Sequence, residues 1–157
     1  MTEPKAAEFL VQRRRTIAAP AEVLYPMIDD FHRWIEWSPW EGIDPELDRV
    51  YAGAESGVGA TYEWGGNRKA GAGQMEITGA DPPREVVIAL TFHRPFKSRS
   101  VARFTLTPTD AGTEVVWSMT GAKTLMTRVM GVFMNMDKMI GPDFEKGLAQ
   151  LAAVAEG

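Results

Sequence analysis

Residues 101–121 read VARFTLTPTDAGTEVVWSMTG, in which two runs of alternating apolar and polar residues flank a short polar segment. A period of two is the spacing of a β-strand that buries one face, so each run predicts a strand. The segment Asp110-Ala111-Gly112 is typical of a tight turn, and the stretch therefore predicts an antiparallel hairpin. The apolar face of this hairpin consists of Ala102, Phe104 and Leu106, followed by Val115, Trp117 and Met119.

The same alternation upstream of the hairpin predicts five more strands. They span residues 9–18, 47–52, 57–64, 71–78 and 84–93. The last six strands follow one another with short turns, which implies an antiparallel meander. Two short helices precede the meander. One spans residues 20–28 and is kept short or bent by Pro26, and the other spans residues 31–37 after a capping Asp29-Asp30 pair.

The C-terminal part of the chain has a helical period instead. Its apolar stripe consists of Ile140, Phe144, Leu148, Leu151 and Ala155. Met126, Met130 and Met134 continue this helix upstream, and Gly141-Pro142 should kink or divide it because proline removes a backbone hydrogen bond. A long amphipathic helix must bury its stripe, and the concave face of the sheet is available to it. We therefore expect an α+β fold in which a curved antiparallel seven-stranded sheet surrounds the long C-terminal helix.

Composition sets limits on the function. The 157 residues fit one domain spanning residues 1–157, and their net charge of −4 gives no basic excess that points to nucleic acid. The chain has no cysteine, which excludes disulfides, thiolate metal sites and cysteine nucleophiles. Residues 1–8 do not resemble a signal peptide, and no run is long and apolar enough to span a bilayer. We expect a cytoplasmic monomer or homodimer without stable membrane insertion.

Four segments resemble the START-like (SRPBCC) superfamily, in particular its polyketide cyclase/dehydrase-type lipid-binding branch. They are residues 19–23 (APAEV), 37–40 (WSPW), 112–117 (GTEVVW) and 144–151 (FEKGLAQL). The resemblance covers nearly the whole chain and implies a helix-grip fold, in which the sheet holds the last helix around a hydrophobic cavity. Members of the superfamily include lipid carriers, hormone receptors, cyclases and co-chaperone-like domains, so the resemblance leaves several functions open.

Large apolar side chains are the candidates for lining such a cavity. Aromatic residues also dominate ordinary cores, so simple core packing is the alternative for each of them. Trp34, Trp37 and Trp40 could equally form a structural plug or the mouth of the pocket. Methionine adapts its shape to varied apolar partners, and the methionine-rich stretch could act as a movable gate. The candidate ligand-binding residues are Trp34, Trp37, Trp40, Tyr62, Trp64, Met75, Phe92, Phe104, Trp117, Met119, Met130, Phe133 and Met134.

Two arginines raise the question of a charge inside the cavity. Arg13 and Arg15 share the face of the first strand that carries its apolar residues. An inward guanidinium would need a carboxylate or an anionic ligand, and Glu63 and Glu114 are possible partners. The alternatives are that both arginines lie near the exposed end of the strand, or that a β-bulge changes the face on which they lie.

The remaining titratable candidates give no recognisable catalytic or metal site. His32 and His93 lack metal-ligand spacing to other candidates, and His93 should be exposed. No nucleophile triad, metalloprotease motif or phosphate-binding loop occurs in the sequence. We therefore predict no catalytic residue, no metal and no cofactor.

Three functional hypotheses remain. The leading one is binding or transport of a small hydrophobic molecule, lipid-like or polyketide-like, in an internal cavity. The first alternative is a cofactor-independent cyclase or aromatase, which needs a shaped pocket and an acid or base such as Arg15, Tyr62, Glu63 or His93. The second alternative is a co-chaperone-like interaction domain, which needs an exposed apolar groove.

Overall fold

The computed structural model describes residues 8–40, 46–67, 71–94, 97–122 and 136–157. They form an α+β fold with the predicted order of one strand, two short helices, six strands and a long helix. The elements are β1 (Glu8–Ile17), α1 (Ala21–Ile28), a 3₁₀ helix (Phe31–Glu36), β2 (Asp48–Gly53), β3 (Ala60–Gly65), β4 (Ala72–Asp81), β5 (Glu85–Arg94), β6 (Ser98–Thr109), β7 (Gly112–Ala122) and α2 (Met136–Glu156). Met126, Met130 and Met134, which were predicted to extend α2, lie outside the described residues.

The seven strands form one antiparallel sheet in the order β1-β7-β6-β5-β4-β3-β2. Strands β2 to β7 each pair with their sequence neighbours, as short hairpins require, and β1 pairs with the free edge of β7. The predicted hairpin is confirmed, because Phe104 pairs with Trp117 and Leu106 pairs with Val115. All four side chains are buried, so the predicted apolar face is the inner face of the sheet.

Helix α2 packs on the inner face beside β1 and β7. Phe144, Leu148 and Leu151 are buried, so the predicted apolar stripe faces the sheet. Phe144 stacks on Trp117 with ring centroids 4.0 Å apart. The helix continues through Pro142, so it is not divided there, and a kink at Gly141-Pro142 stays a prediction. No helix in the described ranges, α2 included, has both the length and the apolar character needed to cross a bilayer.

Strand β3 begins later than the alternation predicts. It starts at Ala60 rather than at residue 57, because Gly57 and Gly59 adopt positive φ angles of 72° and 98°. Such angles suit glycine in a turn and interrupt a strand. The carbonyl of Gly59 accepts a hydrogen bond from the N–H of Ala54, which closes the β2–β3 turn.

Candidate ligand-binding site

One half of the concave face is filled by aromatic rings. They come from the 3₁₀ helix, the residue that follows it, β6, β7 and α2, and comprise Trp34, Trp37, Phe104, Trp117 and Phe144, here named the tryptophan cluster. Ring centroids lie 4.7 Å apart between Trp34 and Trp37, and also between Phe104 and Trp117. Every member is 6% exposed or less. Because exposure includes any internal space that admits water, these rings pack against protein.

The two indole N–H groups of the 3₁₀ segment have backbone partners. Trp34 Nε1 donates to the carbonyl of Ile28, and Trp37 Nε1 donates to the carbonyl of Met27, both at 2.8 Å. Met27 and Ile28 are the last residues of α1, whose final carbonyls have no partner within the helix. The two tryptophans therefore act as a structural plug that closes the end of α1.

Residues 37–40, the WSPW segment, hold α2 against this plug. Trp40 is half-buried, and its Nε1 donates to Asp143 of α2 at 3.2 Å. In the other direction, Gln150 Nε2 of α2 donates to the carbonyl of Trp37 at 2.7 Å. These two hydrogen bonds join the WSPW segment to α2.

The other half of the concave face, over β2 to β5, carries large side chains that are only half-buried. They are Tyr51, Tyr62, Trp64, Leu90 and Phe92, here named the aromatic wall. Strand pairing places them side by side, because Tyr62 pairs with Tyr51 on one side and with Met75 on the other, and Met75 pairs with Leu90. Ring centroids lie 6.1 Å apart between Trp64 and Tyr62, and 5.7 Å apart between Trp64 and Phe92. The wall is a continuous apolar surface that other residues cover only in part.

Gly73 determines how Trp64 sits in the wall. It lies on β4 between Trp64 of β3 and Phe92 of β5. A Cβ atom at Gly73 would lie 2.5 Å from Trp64 Cη2 and 2.6 Å from the carbonyl oxygen of Thr91. The indole therefore occupies the space of the missing side chain and packs directly on the strand.

The predicted ligand-binding residues divide between the two halves. Buried in or beside the tryptophan cluster are Trp34, Trp37, Phe104, Trp117 and Met119. In the aromatic wall or at its base are Tyr62, Trp64, Met75 and Phe92. Met130, Phe133 and Met134 lie outside the described residues, and a ligand contact for any predicted residue stays a prediction. Sequence reasoning missed Tyr51 and Leu90, although Leu90 continues the alternation of β5.

Arg13 reaches along the inner side of β1 to helix α2. Its guanidinium donates to both carboxylate oxygens of Asp137, at 2.7 and 3.0 Å, and to Glu145 at 2.7 Å. Gly141 lies one helical turn from each acid, and a side chain there would overlap the guanidinium. The hydrogen bond from Arg13 holds the pKa of Asp137 below its usual value. This group, which we name the arginine latch, ties α2 to the edge strand.

The prediction that Glu63 or Glu114 pairs with an inward arginine is wrong. Glu63 is exposed on the outer face of β3, and Glu114 on the outer face of β7 lies 3.4 Å from Arg14 instead. Arg13 takes its partners from α2, and Arg15 is exposed. Of the acid–base groups considered for an enzyme, Tyr62 alone belongs to the aromatic wall.

His32 forms a pair with Asp30 at the rim of the aromatic wall. His32 Nδ1 lies 2.8 Å from Asp30 Oδ1, and the imidazole stacks on Tyr51 with ring centroids 4.2 Å apart. Tyr51 in turn lies 5.2 Å from Tyr62. A carboxylate at Nδ1 favours the tautomer protonated there, which leaves Nε2 as an acceptor. The spacing Asp30-x-His32 is the sequence signal that could have indicated this pair. His93 is exposed, as predicted.

Besides the aromatic wall, the described residues form an open cleft but no metal-binding group. An open cleft of about 570 Å³ lies between the start of α1 and the β6–β7 hairpin, and its lining shares no residue with the aromatic wall. Among the residues that the structure describes, no three His, Asp or Glu side chains are grouped closely enough to hold a metal ion. The aromatic wall therefore remains the candidate site.

Solved structures share this fold. A protein from Mesorhizobium loti is 23% identical and matches 94% of this chain and 96% of its own, with a TM-score of 0.66. A protein from Chromobacterium violaceum is 16% identical, matching 95% and 99% of the two chains, with a TM-score of 0.69. The di-domain ARO/CYC StfQ from the steffimycin biosynthetic pathway is 12% identical, matching 96% of this chain and 52% of StfQ, with a TM-score of 0.72.

The family follows from the sequence rather than from these distant structures. No curated protein matches the chain. The family model described as polyketide cyclase/dehydrase and lipid transport, however, matches residues 8–156. That range includes every strand and helix described above. The chain therefore belongs to the polyketide cyclase/dehydrase and lipid transport family.

Proposed function

We propose that this protein binds a small hydrophobic molecule against the aromatic wall. The observation that carries the proposal is the contrast in burial on one sheet face. Trp117 in the tryptophan cluster is 2% exposed, whereas Trp64 and Phe92 in the wall are only half-buried. Covering about 200 Å² of apolar wall contributes about 5 kcal/mol to binding, before the cost of immobilising the ligand.

The family supports the same class of ligand. Its description joins lipid transport with polyketide cyclase and dehydrase activities, and transport of a lipid requires the protein to hold a largely apolar molecule. The StfQ match adds that a domain of this fold occurs in a protein described as an ARO/CYC. An enclosed cavity and the identity of the guest remain parts of the proposal.

A fluorescent probe tests the site. N-phenyl-1-naphthylamine brightens when it leaves water, and we expect saturable binding to the purified protein. Trp64→Ala should weaken it about tenfold, which corresponds to about 1.4 kcal/mol of lost contact. Leu90→Ala should weaken it less, and Leu10→Ala is the matched control because Leu10 is 57% exposed on the outer face of β1.

The outcomes separate the hypotheses. Equal weakening by Leu90→Ala and Leu10→Ala would place the probe elsewhere and contradict the proposed site. Native mass spectrometry of the freshly purified protein gives a second readout, since a carrier should retain an apolar small molecule. A protein that binds no probe but recovers a protein partner would support the interaction-domain hypothesis instead.

A second candidate function, cyclase-type catalysis, is favoured by the Asp30–His32 pair. The Nε2 atom of His32 can accept a proton from the terminal carbon next to a ketone, and Tyr62 on the wall can donate a hydrogen bond to the resulting enolate, whose carbon then attacks a distant carbonyl of the same molecule. Heptane-2,4,6-trione is a test substrate, because intramolecular aldol condensation followed by loss of one water yields orcinol. We expect faster orcinol formation with the wild type than with His32→Asn. Equal rates would contradict a catalytic His32.

A further inference from the structure

Arg49 stands on the inner face of the edge strand, beside the aromatic wall. It lies on β2 directly opposite Trp64 of β3, and its side chain is half-buried. Directly opposed residues of an antiparallel pair have Cβ atoms about 4.5–5.5 Å apart on the same face. Arg49 therefore lies next to the indole at the rim of the wall, two residues from Tyr51 on the same face.

The charges around Arg49 are arranged by face. Within the described strands β2, β3 and β4, Arg49 is the one charged residue at an inward position. The acids of these strands occupy outward positions, as Asp48, Glu63 and Glu76 do. This separation puts a positive group on an apolar face in a chain whose net charge is −4.

A guanidinium in this place suits a particular kind of ligand. Arginine offers five N–H donors in a planar fork, so it can bind a ligand anion while also contacting a protein group. Hydrogen bonds to an ionised acceptor are about twice as strong as neutral ones, and they strengthen where apolar surface excludes water. The neighbouring wall meanwhile takes an apolar body.

We infer that the ligand is an amphipathic organic anion, whose apolar body covers the aromatic wall and whose anionic group binds Arg49. The inference rests on the proposed function, because it specifies the ligand of the same site. It names a ligand chemistry, an apolar chain or ring system bearing a carboxylate or similar anion, which covers both fatty acids and aromatic acids.

Two probes with one skeleton test this inference. 1-Anilinonaphthalene-8-sulfonate differs from N-phenyl-1-naphthylamine by its sulfonate alone. We expect Arg49→Gln to weaken binding of the sulfonate probe about tenfold, which corresponds to about 1.4 kcal/mol. The same substitution should change the affinity for the neutral probe less than about twofold. Arg49→Lys should retain part of the preference. Arg99→Gln is the control, because Arg99 is exposed on the outer face of β6.

Displacement of the neutral probe gives a second readout with aliphatic ligands. Decanoate should displace it from the wild type at lower concentration than 1-decanol does, and Arg49→Gln should remove this preference. Added salt should weaken decanoate binding to the wild type more than to Arg49→Gln. Circular dichroism and the thermal midpoint of each variant establish that it is folded.

The possible failures are distinguishable. A wild type that binds neither probe overturns the proposed function and this inference together. A wild type that binds the neutral probe, with Arg49→Gln affecting both probes equally or neither, overturns the inference alone. Arg99→Gln weakening the sulfonate probe as much as Arg49→Gln would also overturn it, because the effect would then be one of general charge.

Discussion

The tryptophan cluster and the aromatic wall are two halves of one sheet face with similar composition and opposite packing. Phe104 and Trp117 of the cluster are at most 2% exposed, whereas Trp64 and Phe92 of the wall are half-buried. The strands supply aromatic residues to both halves. The difference therefore comes from what covers each half, and composition alone does not distinguish core from binding surface.

The covering elements explain the contrast. The tryptophan cluster is bounded by the end of α1, whose carbonyls accept the indole N–H groups, and by Phe144 of α2, which stacks on Trp117. Phe31 joins the two halves, with ring centroids 5.5 Å from Trp34 and 6.0 Å from Tyr62. Packing on both sides makes the cluster a stability element, whereas the wall is covered only in part.

A matched pair of phenylalanines gives the largest expected effect. Phe144→Ala removes a fully buried ring from the tryptophan cluster and should lower the free energy of unfolding by about 3–5 kcal/mol. Phe92→Ala in the wall should cost only about 1–2 kcal/mol, because that ring already contacts solvent. Urea denaturation with both variants measures the difference. Similar losses would mean that the wall is an ordinary core.

Local patterns were enough to predict most of the fold. Val86, Ile88, Leu90 and Phe92 alternate without interruption, and β5 spans Glu85–Arg94. The stripe containing Phe144 and Leu148 has the helical period, and it faces the sheet. The start of β3 was missed because alternation does not report the positive φ of the preceding glycines.

The candidate site was harder to predict, since it depends on contacts between distant residues. The sequence left open whether Trp34 and Trp37 form a structural plug or the mouth of a pocket, because that depends on their contacts with α1 and α2. The partner of Arg13 lies 124 residues away at Asp137, beyond the reach of strand parity. Arg49 carried no sequence signal, because its face follows only from the register with Trp64.

A pair of glycines tests the geometry of the wall with an intermediate effect. Gly73→Ala forces its new methyl group against Trp64 and against the Thr91 carbonyl, and should cost about 1–3 kcal/mol of stability. It should also weaken binding of the neutral probe, because the new methyl group displaces the Trp64 indole. Gly65→Ala is the control, since a Cβ atom there meets nothing within 4 Å. Probe binding to Gly73→Ala at wild-type affinity would show that the position of Trp64 is unimportant.

The smallest expected effect concerns the arginine latch, which secures α2 on the cluster side of the sheet. Because the folded state lowers the pKa of Asp137, its ion pair contributes stability above the unfolded pKa of about 3.9. That contribution is lost as the pH falls through the folded pKa. Asp137→Asn should therefore lower the thermal midpoint slightly at pH 6, and the difference from the wild type should shrink toward pH 2.5.

The control for the latch is Asp110→Asn in the exposed β6–β7 turn, which leaves Arg13 and both of its acids in place. Arg13→Gln should give a pH dependence of the same sign and a larger loss at pH 6, because it breaks the ion pair with Asp137 and also the one with Glu145. A difference between Asp137→Asn and wild type that stays constant with pH would mean that charge contributes nothing to the latch. The packing of Arg13 on Gly141 would then account for its hold on α2.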